Sequence, residues 1–298
     1  MITARCPGSA GELIQGFFLG GEKLISYPIE CYSTVTLVER KRNDKQYGKY
    51  IKSYKMLESI FKYYGYMVKD SYGITINVNS NIPVGKGMAS STADLAATAK
   101  AAAKYLNRNI SNNEITKLCV RIEPTDSIVF SEITLLDYLD ANFVHNYGKF
   151  PECKVLILEG RGYINTLDFH KNRYMEKSEK KRRKKEKKER SLKKALSYFE
   201  LGMKNRDLKT IGKAATISSF ANQDIIYKPG LEDIYDLSIY HGAYGINVAH
   251  SGTVVSILYN EMNFDKEGFL YSIKGKHYMK EYIGIRDYNI ISGGAFIV

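Results

Sequence analysis

The sequence predicts a mixed architecture, α+β or α/β, because strand-like and helix-like patterns are interspersed along its 298 residues. Two local patterns and one long-range feature carry that expectation. Thr34 to Val38, and Ile74, Ile76 and Val78 around Thr75 and Asn77, alternate in polarity as a strand with one apolar face requires. Met88, Thr92, Leu95, Ala96, Ala99, Ala103 and Leu106 recur three and four apart in an alanine-rich stretch, which is the spacing of one helical face. The second half then mixes short apolar runs with helix-forming segments.

Taken in order, the first third reads as strands and turns. The strand at Ile74 to Val78 runs into NSNIPVGKG, where Pro83 and two glycines end it and permit sharp backbone angles. A helix is expected from about Met88 to Tyr105. Lys154 to Leu158 is a further strand, followed by Gly160-Arg-Gly162, and a domain boundary near residue 150 is expected, giving domains 1–150 and 151–298. Helices are expected at 175–204, 207–221 and 230–241, with strands at Gly245 to Val248, Val254 to Tyr259 and Asn289 to Ile291.

Composition narrows the class. With 44% apolar and 26% charged residues and only 6 Pro, the chain is neither largely disordered nor collagen-like. No apolar run approaches the roughly 18 residues of a membrane-spanning helix. The opening lacks a charged segment followed by an apolar one, so a soluble, unexported chain is expected. Cys6, Cys31, Cys119 and Cys153 are scattered without a C-x-x-C pair, which argues for a reducing cytoplasm and against a disulfide framework or a zinc site.

The net charge of +12 is a local matter. Lys171 to Lys194 holds fourteen Lys/Arg against four Glu and so carries ten of those twelve charges. This insertion is rich in helix formers and continues into SLKKALSYFELGM, as an exposed helical extension would. A solvated insertion and a contact surface for nucleic acid or another anionic surface are both compatible with it. The charge run Glu176 to Arg190 holds no aromatic residue, which weighs against stacking on bases, so nucleic acid is not the expected partner.

The most informative segment is Pro83-Val-Gly-Lys-Gly-Met-Ala-Ser-Ser-Thr-Ala-Asp-Leu95, a strand exit, a glycine turn and a helix start dense in hydroxyls. Helix N-termini present unpaired N–H groups and a positive dipole end, and glycine lets the backbone approach a phosphate. Neither the Walker A pattern nor G-x-G-x-x-G fits it, since Ser90 stands where the third glycine of the latter would be. Two further segments accompany it. Cys6 to Gly16, CPGSAGELIQG, has three glycines and the lone carboxylate Glu12, and Gly245 to Thr253, GINVAHSGT, precedes an apolar strand.

Together these segments resemble the three motifs of the GHMP kinase superfamily, whose central loop wraps the ATP phosphates. Within it the wording is most similar to the L-threonine kinases of cobalamin synthesis, on PGSAGELIQG, KGMASSTADLAATA, EPTDS and AHSGTV, and on the segments around Ala214 to Thr216 and Asn222-Gln223. Ala10 departs from that subfamily, which usually has Cys there.

The resemblance implies an α+β, two-domain GHMP kinase fold, with an N-terminal half like domain 2 of ribosomal protein S5 and a ferredoxin-like C-terminal half. It implies transfer of phosphate from ATP to the hydroxyl of L-threonine, a small-molecule partner, with homoserine or another small alcohol as the alternative substrate. It implies ATP binding by Pro83, Val84, Gly85, Lys86, Gly87, Met88, Ala89, Ser90, Ser91, Thr92 and Ala93, with the Lys86 side chain either a phosphate cation or an exposed turn lysine. Ser91 is the expected Mg2+ ligand, or else a capping hydroxyl, and Glu114 and Glu123 are both candidate carboxylate ligands. Asp126 is the expected catalytic base, or else a turn carboxylate, because a threonine hydroxyl needs help to lose its proton at pH 7. Glu12 would meet the substrate ammonium or form an internal ion pair, with Ser9, Gln15 and Ser251 as further substrate-side residues; His250 is given no proton-transfer role. A regulatory protein that keeps the fold without catalysis is the competing class.

Overall fold

A computed structural model of the chain describes residues 1–40, 44–142, 144–163, 179–225 and 227–298. The elements in order are β1 (Ile2–Phe18), β2 (Gly21–Glu39), α1 (Asp44–Lys49), α2 (Ile51–Tyr63), β3 (Ile74–Ser80), α3 (Ser90–Tyr105), α4 (Asn112–Val120), β4 (Thr134–Asp137), β5 (Val144–Asn146), β6 (Lys154–Gly160), α5 (Glu179–Asn205), α6 (Leu208–Ala221), α7 (Leu231–Tyr240), β7 (Gly245–Val248), β8 (Val254–Tyr259), α8 (Lys266–Ile273), β9 (Tyr282–Asn289) and β10 (Phe296–Ile297).

The strands form one sheet in the order β5-β4-β2-β1-β7-β8-β6-β9, with β3 also on β2 and β10 also on β1. Strands β1 and β7 meet at Glu12 and Val248. Around this point the β1–β2 register shifts at Pro7/Gly8 and on both sides of Glu12. Such bulges re-aim side chains and are frequent beside functional sites. The first glycine motif is thus an irregular stretch of a central strand.

One apolar core packs α2, α3 and α4 together with α5 and α6 on the sheet, so it draws on both halves of the chain, from Ala4 to Ala295. A second core lies under α7 and α8 against the other face of β6 to β8, including Leu156, Leu158, Val255 and Ile257. Strand β6 serves both cores, which is why its sequence is an apolar run and not an alternation. In α3, Ala93, Ala96, Ala97, Ala99, Ala101, Ala102 and Ala103 are all buried. Their small side chains let the helix lie close to β1 and β2.

The expected helix at 88–105 begins two residues late, because Ala89 sits in the left-handed region at φ 58° and cannot start a right-handed helix. The strand expected at Asn289 to Ile291 runs earlier, over Tyr282–Asn289, leaving Ile290 in an isolated bridge to Ile29. It is an edge strand, mostly exposed and carrying Arg286 and Asp287, so it lacks a clean alternation. Helix α2 breaks the expected run of strands and turns; Tyr54, Leu57, Ile60 and Phe61 on its buried face have helical spacing.

The basic run is helical from Glu179 onward, residues 171–178 lying outside the described part. It is not purely solvated. Lys184 lies 2.8 Å and Lys188 3.8 Å from Asp224, Lys185 stands 4.4 Å from the centre of the Phe17 ring, and Leu192 is fully buried.

Gly212 lies inside α6, where alanine would ordinarily improve helix propensity. A Cβ there would stand 2.1 Å from the backbone oxygen of Tyr244. Gly212→Ala is therefore expected to destabilise the fold by roughly 2–4 kcal/mol, read as a lower urea midpoint with an unchanged slope.

Candidate active site

The loop between β3 and α3 is held by backbone contacts with the other two motifs. Gly85, Gly87 and Ala89 all take positive φ, at 71°, 79° and 58°. The carbonyl of Lys86 accepts the Thr253 N–H at 3.0 Å, and that of Met88 accepts the Ser9 N–H at 3.0 Å. A Cβ on Gly87 would stand 2.3 Å from Ala249 Cβ and 2.9 Å from Gly252 Cα, and one on Gly8 would stand 2.8 Å from the Met88 carbonyl oxygen. Only glycine permits these approaches.

Past the loop, no side chain caps α3. Its first amides therefore open, with Ser90, Ser91 and Thr92, onto a cleft of about 610 Å³ counting the open mouth. The same cleft is lined by Glu12 and Gln15 of β1, by Glu123 to Asp126, and by Ser251. Leu24 and Tyr138 complete the apolar part of its wall.

Of the loop residues, Gly85 and Gly87 to Thr92 line the cleft, whereas Pro83, Val84, Lys86 and Ala93 do not. The Lys86 side chain is neither a phosphate cation here nor exposed. Its ammonium donates to the carbonyls of Gly160 at 2.7 Å and Gly162 at 2.8 Å and lies 3.7 Å from Glu159, tying the loop to the end of β6.

On one wall the Ser91 hydroxyl donates to Glu123, whose other oxygen is 2.6 Å from the Lys52 ammonium. Lys52 also reaches Ser91 at 3.3 Å. A serine hydroxyl beside a carboxylate is an oxygen donor set of the kind Mg2+ takes, with waters and phosphate oxygens completing it. Glu114 is not brought there. It occupies the third position of α4, where it closes a capping box with Ser111 and accepts from Tyr63. The S-x-x-E spacing of Ser111 and Glu114 was a legible sign of that role.

Asp126, in the same lining, is 7% exposed. Its carboxylate accepts from the Ser26 hydroxyl and from the Ile128 N–H at 3.2 Å, so it also caps the short turn Ser127–Val129. Its own N–H donates to Thr92 Oγ1 at 3.2 Å, fixing it to the start of α3. Burial, reinforced by the nearby Glu12 charge, raises its pKa to about 7. A carboxylate poised there can take up a proton at neutral pH.

Glu12, 3% exposed, accepts the His250 N–H at 2.9 Å and lies 3.0 Å from His250 Nδ1. Burial raises its pKa to about 7 as well, opposed by the His250 N–H and by the Lys228 charge. Gln15 is anchored through its backbone, the N–H to Ser218 Oγ at 3.2 Å and the carbonyl to Asn222 at 3.0 Å, while its side-chain oxygen has no partner among the described residues. Ser9 is fully buried with its hydroxyl likewise unpartnered, and it does not line the cleft.

Three contributors escaped the sequence reading. Lys52 comes from a helix that was not expected; Ser26 from a strand 100 residues away from Asp126; and Lys228 from an interhelical loop with no recognisable pattern. The cleft as a whole can bind an anion at the α3 terminus, hold a divalent cation beside Ser91 and Glu123, and withdraw a proton at Asp126.

Comparison with known proteins accords with this geometry. The family model described as the GHMP kinases N terminal domain matches residues 50–131, and that described as GHMP kinases C terminal matches residues 195–266. The chain is 36% identical to an L-threonine kinase of Citrobacter freundii over 265 residues, covering 89% of this chain and 88% of the relative. It is 35% identical to the L-threonine kinase of Salmonella typhimurium strain LT2 over 278 residues, covering 93% and 87%. A crystal structure of mevalonate kinase superposes with a TM-score of 0.72 at 20% identity, over 98% of this chain and 100% of the other, a likeness of fold. With both halves matched by their own family models and a relative above a third identical along nearly its whole length, the chain belongs to the GHMP kinases.

Proposed function

We propose that the protein transfers the γ-phosphoryl group of ATP to the side-chain hydroxyl of L-threonine. The observation that carries the reading is that a buried carboxylate, Asp126, and an uncapped, hydroxyl-rich helix terminus line one cleft, joined by the Asp126 N–H to Thr92 Oγ1 contact. The two L-threonine kinases similar along nearly the whole chain support the substrate. In the finer reading the enzyme is cytoplasmic and its product supplies the aminopropanol linker of adenosylcobalamin, on the likeness of the PGSAGELIQG and EPTDS segments.

ATP would lie with its phosphates on the amides of Gly85 to Ser91, where the helix dipole and the close backbone approach offset the negative charge. Ser91 and Glu123 would hold Mg2+, which supplies charge neutralisation to the phosphates. The threonine oxygen attacks the γ-phosphorus, the bond to the β-phosphate oxygen breaks, ADP leaves, and Asp126 receives the hydroxyl proton. Little covalent chemistry is asked of the protein, so orientation and electrostatics supply most of the acceleration. The substrate ammonium would sit toward Glu12 and the unpartnered oxygen of Gln15, countering the charge that burial makes costly.

Incubation with Mg-ATP and, in parallel, L-threonine, L-serine and L-homoserine should give phosphothreonine as the dominant product by mass spectrometry; dominance of phosphohomoserine would retain the kinase and overturn the substrate. Asp126→Asn should lower kcat by about 10²–10⁴ with little change in the KM for threonine. In the wild type kcat/KM should fall as pH drops below about 7, because protonation removes the base. The folded pKa of Asp126 exceeds its unfolded value of 3.8, so the stability it contributes is full below about pH 4 and is lost as pH rises through about 7. At pH 8 Asp126→Asn should therefore be more stable than the wild type, on the order of 2 kcal/mol, measured by urea unfolding. Glu12→Gln should raise the KM for L-threonine about tenfold while leaving poor turnover of 3-hydroxybutanoate, which lacks the ammonium, unchanged.

A further inference from the structure

Lys228 stands in the loop between α6 and α7 with its side chain inside the protein, 2% exposed. An ammonium taken out of water is costly unless it is well paired. Its backbone is clamped by one side chain: Gln223 Oε1 accepts the Lys228 N–H at 2.8 Å, and Gln223 Nε2 donates to the Lys228 carbonyl at 3.0 Å. The ammonium donates to the carbonyl of Gly252 at 2.8 Å.

Gly252 is where the third motif lies on the phosphate loop. A Cβ there would be 2.1 Å from the Lys86 carbonyl oxygen and 2.3 Å from the Gly87 nitrogen. The next residue, Thr253, donates its N–H to the same Lys86 carbonyl. A chain of short contacts therefore runs from Gln223 through Lys228 and Gly252 to the loop at Lys86-Gly87. The ammonium also acts on Glu12, whose carboxylate holds His250, two residues before Gly252. The charged or titratable groups facing Glu12 are His250 from the β7–β8 loop, Lys228, Asp126 and Tyr27 of β2.

We infer that Lys228 is a positioning residue for phosphoryl transfer: through Gly252 it presses the 249–253 loop, with the His250 that Glu12 holds, onto the phosphate loop. This inference rests on the kinase reading above. Burial moves the two groups in opposite directions, Lys228 down to about 8 and Glu12 up to about 7, and each opposes the shift of the other. Removing the cation therefore lets Glu12 titrate at higher pH.

The test uses the full chain with Lys228→Met, Lys228→Gln and Gln223→Leu, two readouts being taken: calorimetric affinity for a non-hydrolysable ATP analogue with Mg2+, and the pH profile of the KM for threonine, whose acid limb reports Glu12 as that of kcat reports Asp126. Lys228→Gln keeps a donor for the Gly252 carbonyl, so its analogue affinity should stay within about twofold of wild type while the acid limb moves up by roughly half a pH unit or more. Lys228→Met should show the same movement of the limb and, having lost the hydrogen bond, bind the analogue about fivefold more weakly. Gln223→Leu loosens the clamp but keeps the charge, so it should weaken analogue binding with the acid limb in place, which serves if Lys228→Met does not fold. An acid limb unmoved in Lys228→Gln, or analogue affinity unchanged in Lys228→Met or Gln223→Leu, overturns the inference. Wild-type protein that binds the analogue yet phosphorylates no amino alcohol overturns the substrate reading alone, and the analogue affinities still decide the role of Lys228 at the loop.

Discussion

The close packing of three glycine-bearing backbones on one another is the constraint from which the rest of the site follows. Gly87 meets Ala249 and Gly252, Gly8 meets the carbonyl of Met88, and Gly11, at φ 79°, meets the backbone of Val248 and Ala249. No side chain fits between them, so the loop before α3 is located by main-chain hydrogen bonds and excluded volume, which are less adjustable than side-chain contacts. The left-handed Ala89 then turns the chain so that α3 opens onto the cleft. Backbone strain of this kind persists only where the surroundings enforce it, and the three motifs enforce it jointly.

The same packing brings two carboxylates, Glu12 and Asp126, into one poorly hydrated place. Each suffers from its own burial, and the Glu12 charge raises the cost of ionising Asp126 further. The arrangement costs stability at neutral pH and leaves Asp126 with a pKa near that of the medium, a trade frequent at catalytic sites. His250 and Lys228 moderate it from behind the cleft, while Ser26 and the Ile128 N–H moderate it at Asp126. The conspicuous positive run of the sequence is a separate matter: within α5, Lys184 and Lys188 pair with Asp224.

Much of the fold was legible because it rests on local physics. Strand β7 and strand β8 fall where alternation and apolar runs placed them, and α6 and α7 differ from expectation by a residue at most. Helix α2 was hidden by tyrosines and an isoleucine that favour strands in isolation, and tertiary burial of one face decided it. Glu114 and Glu123 looked equivalent as carboxylates nine residues apart. One caps α4 and the other reaches Ser91, and only the path of the chain after α4 separates them.

What the sequence by itself determined was the local chemistry: a glycine turn before a hydroxyl-rich helix start, a carboxylate after Pro124, and glycines at the points where backbones must touch. These are properties of short stretches, set by φ/ψ preference and hydrogen-bonding capacity. Tertiary structure alone decided which distant groups act on them. Lys52 on Glu123, Ser26 on Asp126, His250 on Glu12 and Lys228 on Gly252 are separated by 71, 100, 238 and 24 residues. Their partnership exists only once the chain has folded, and that of His250 with Glu12 also needs β7 beside β1, because sequence spacing carries no information about contacts of this range.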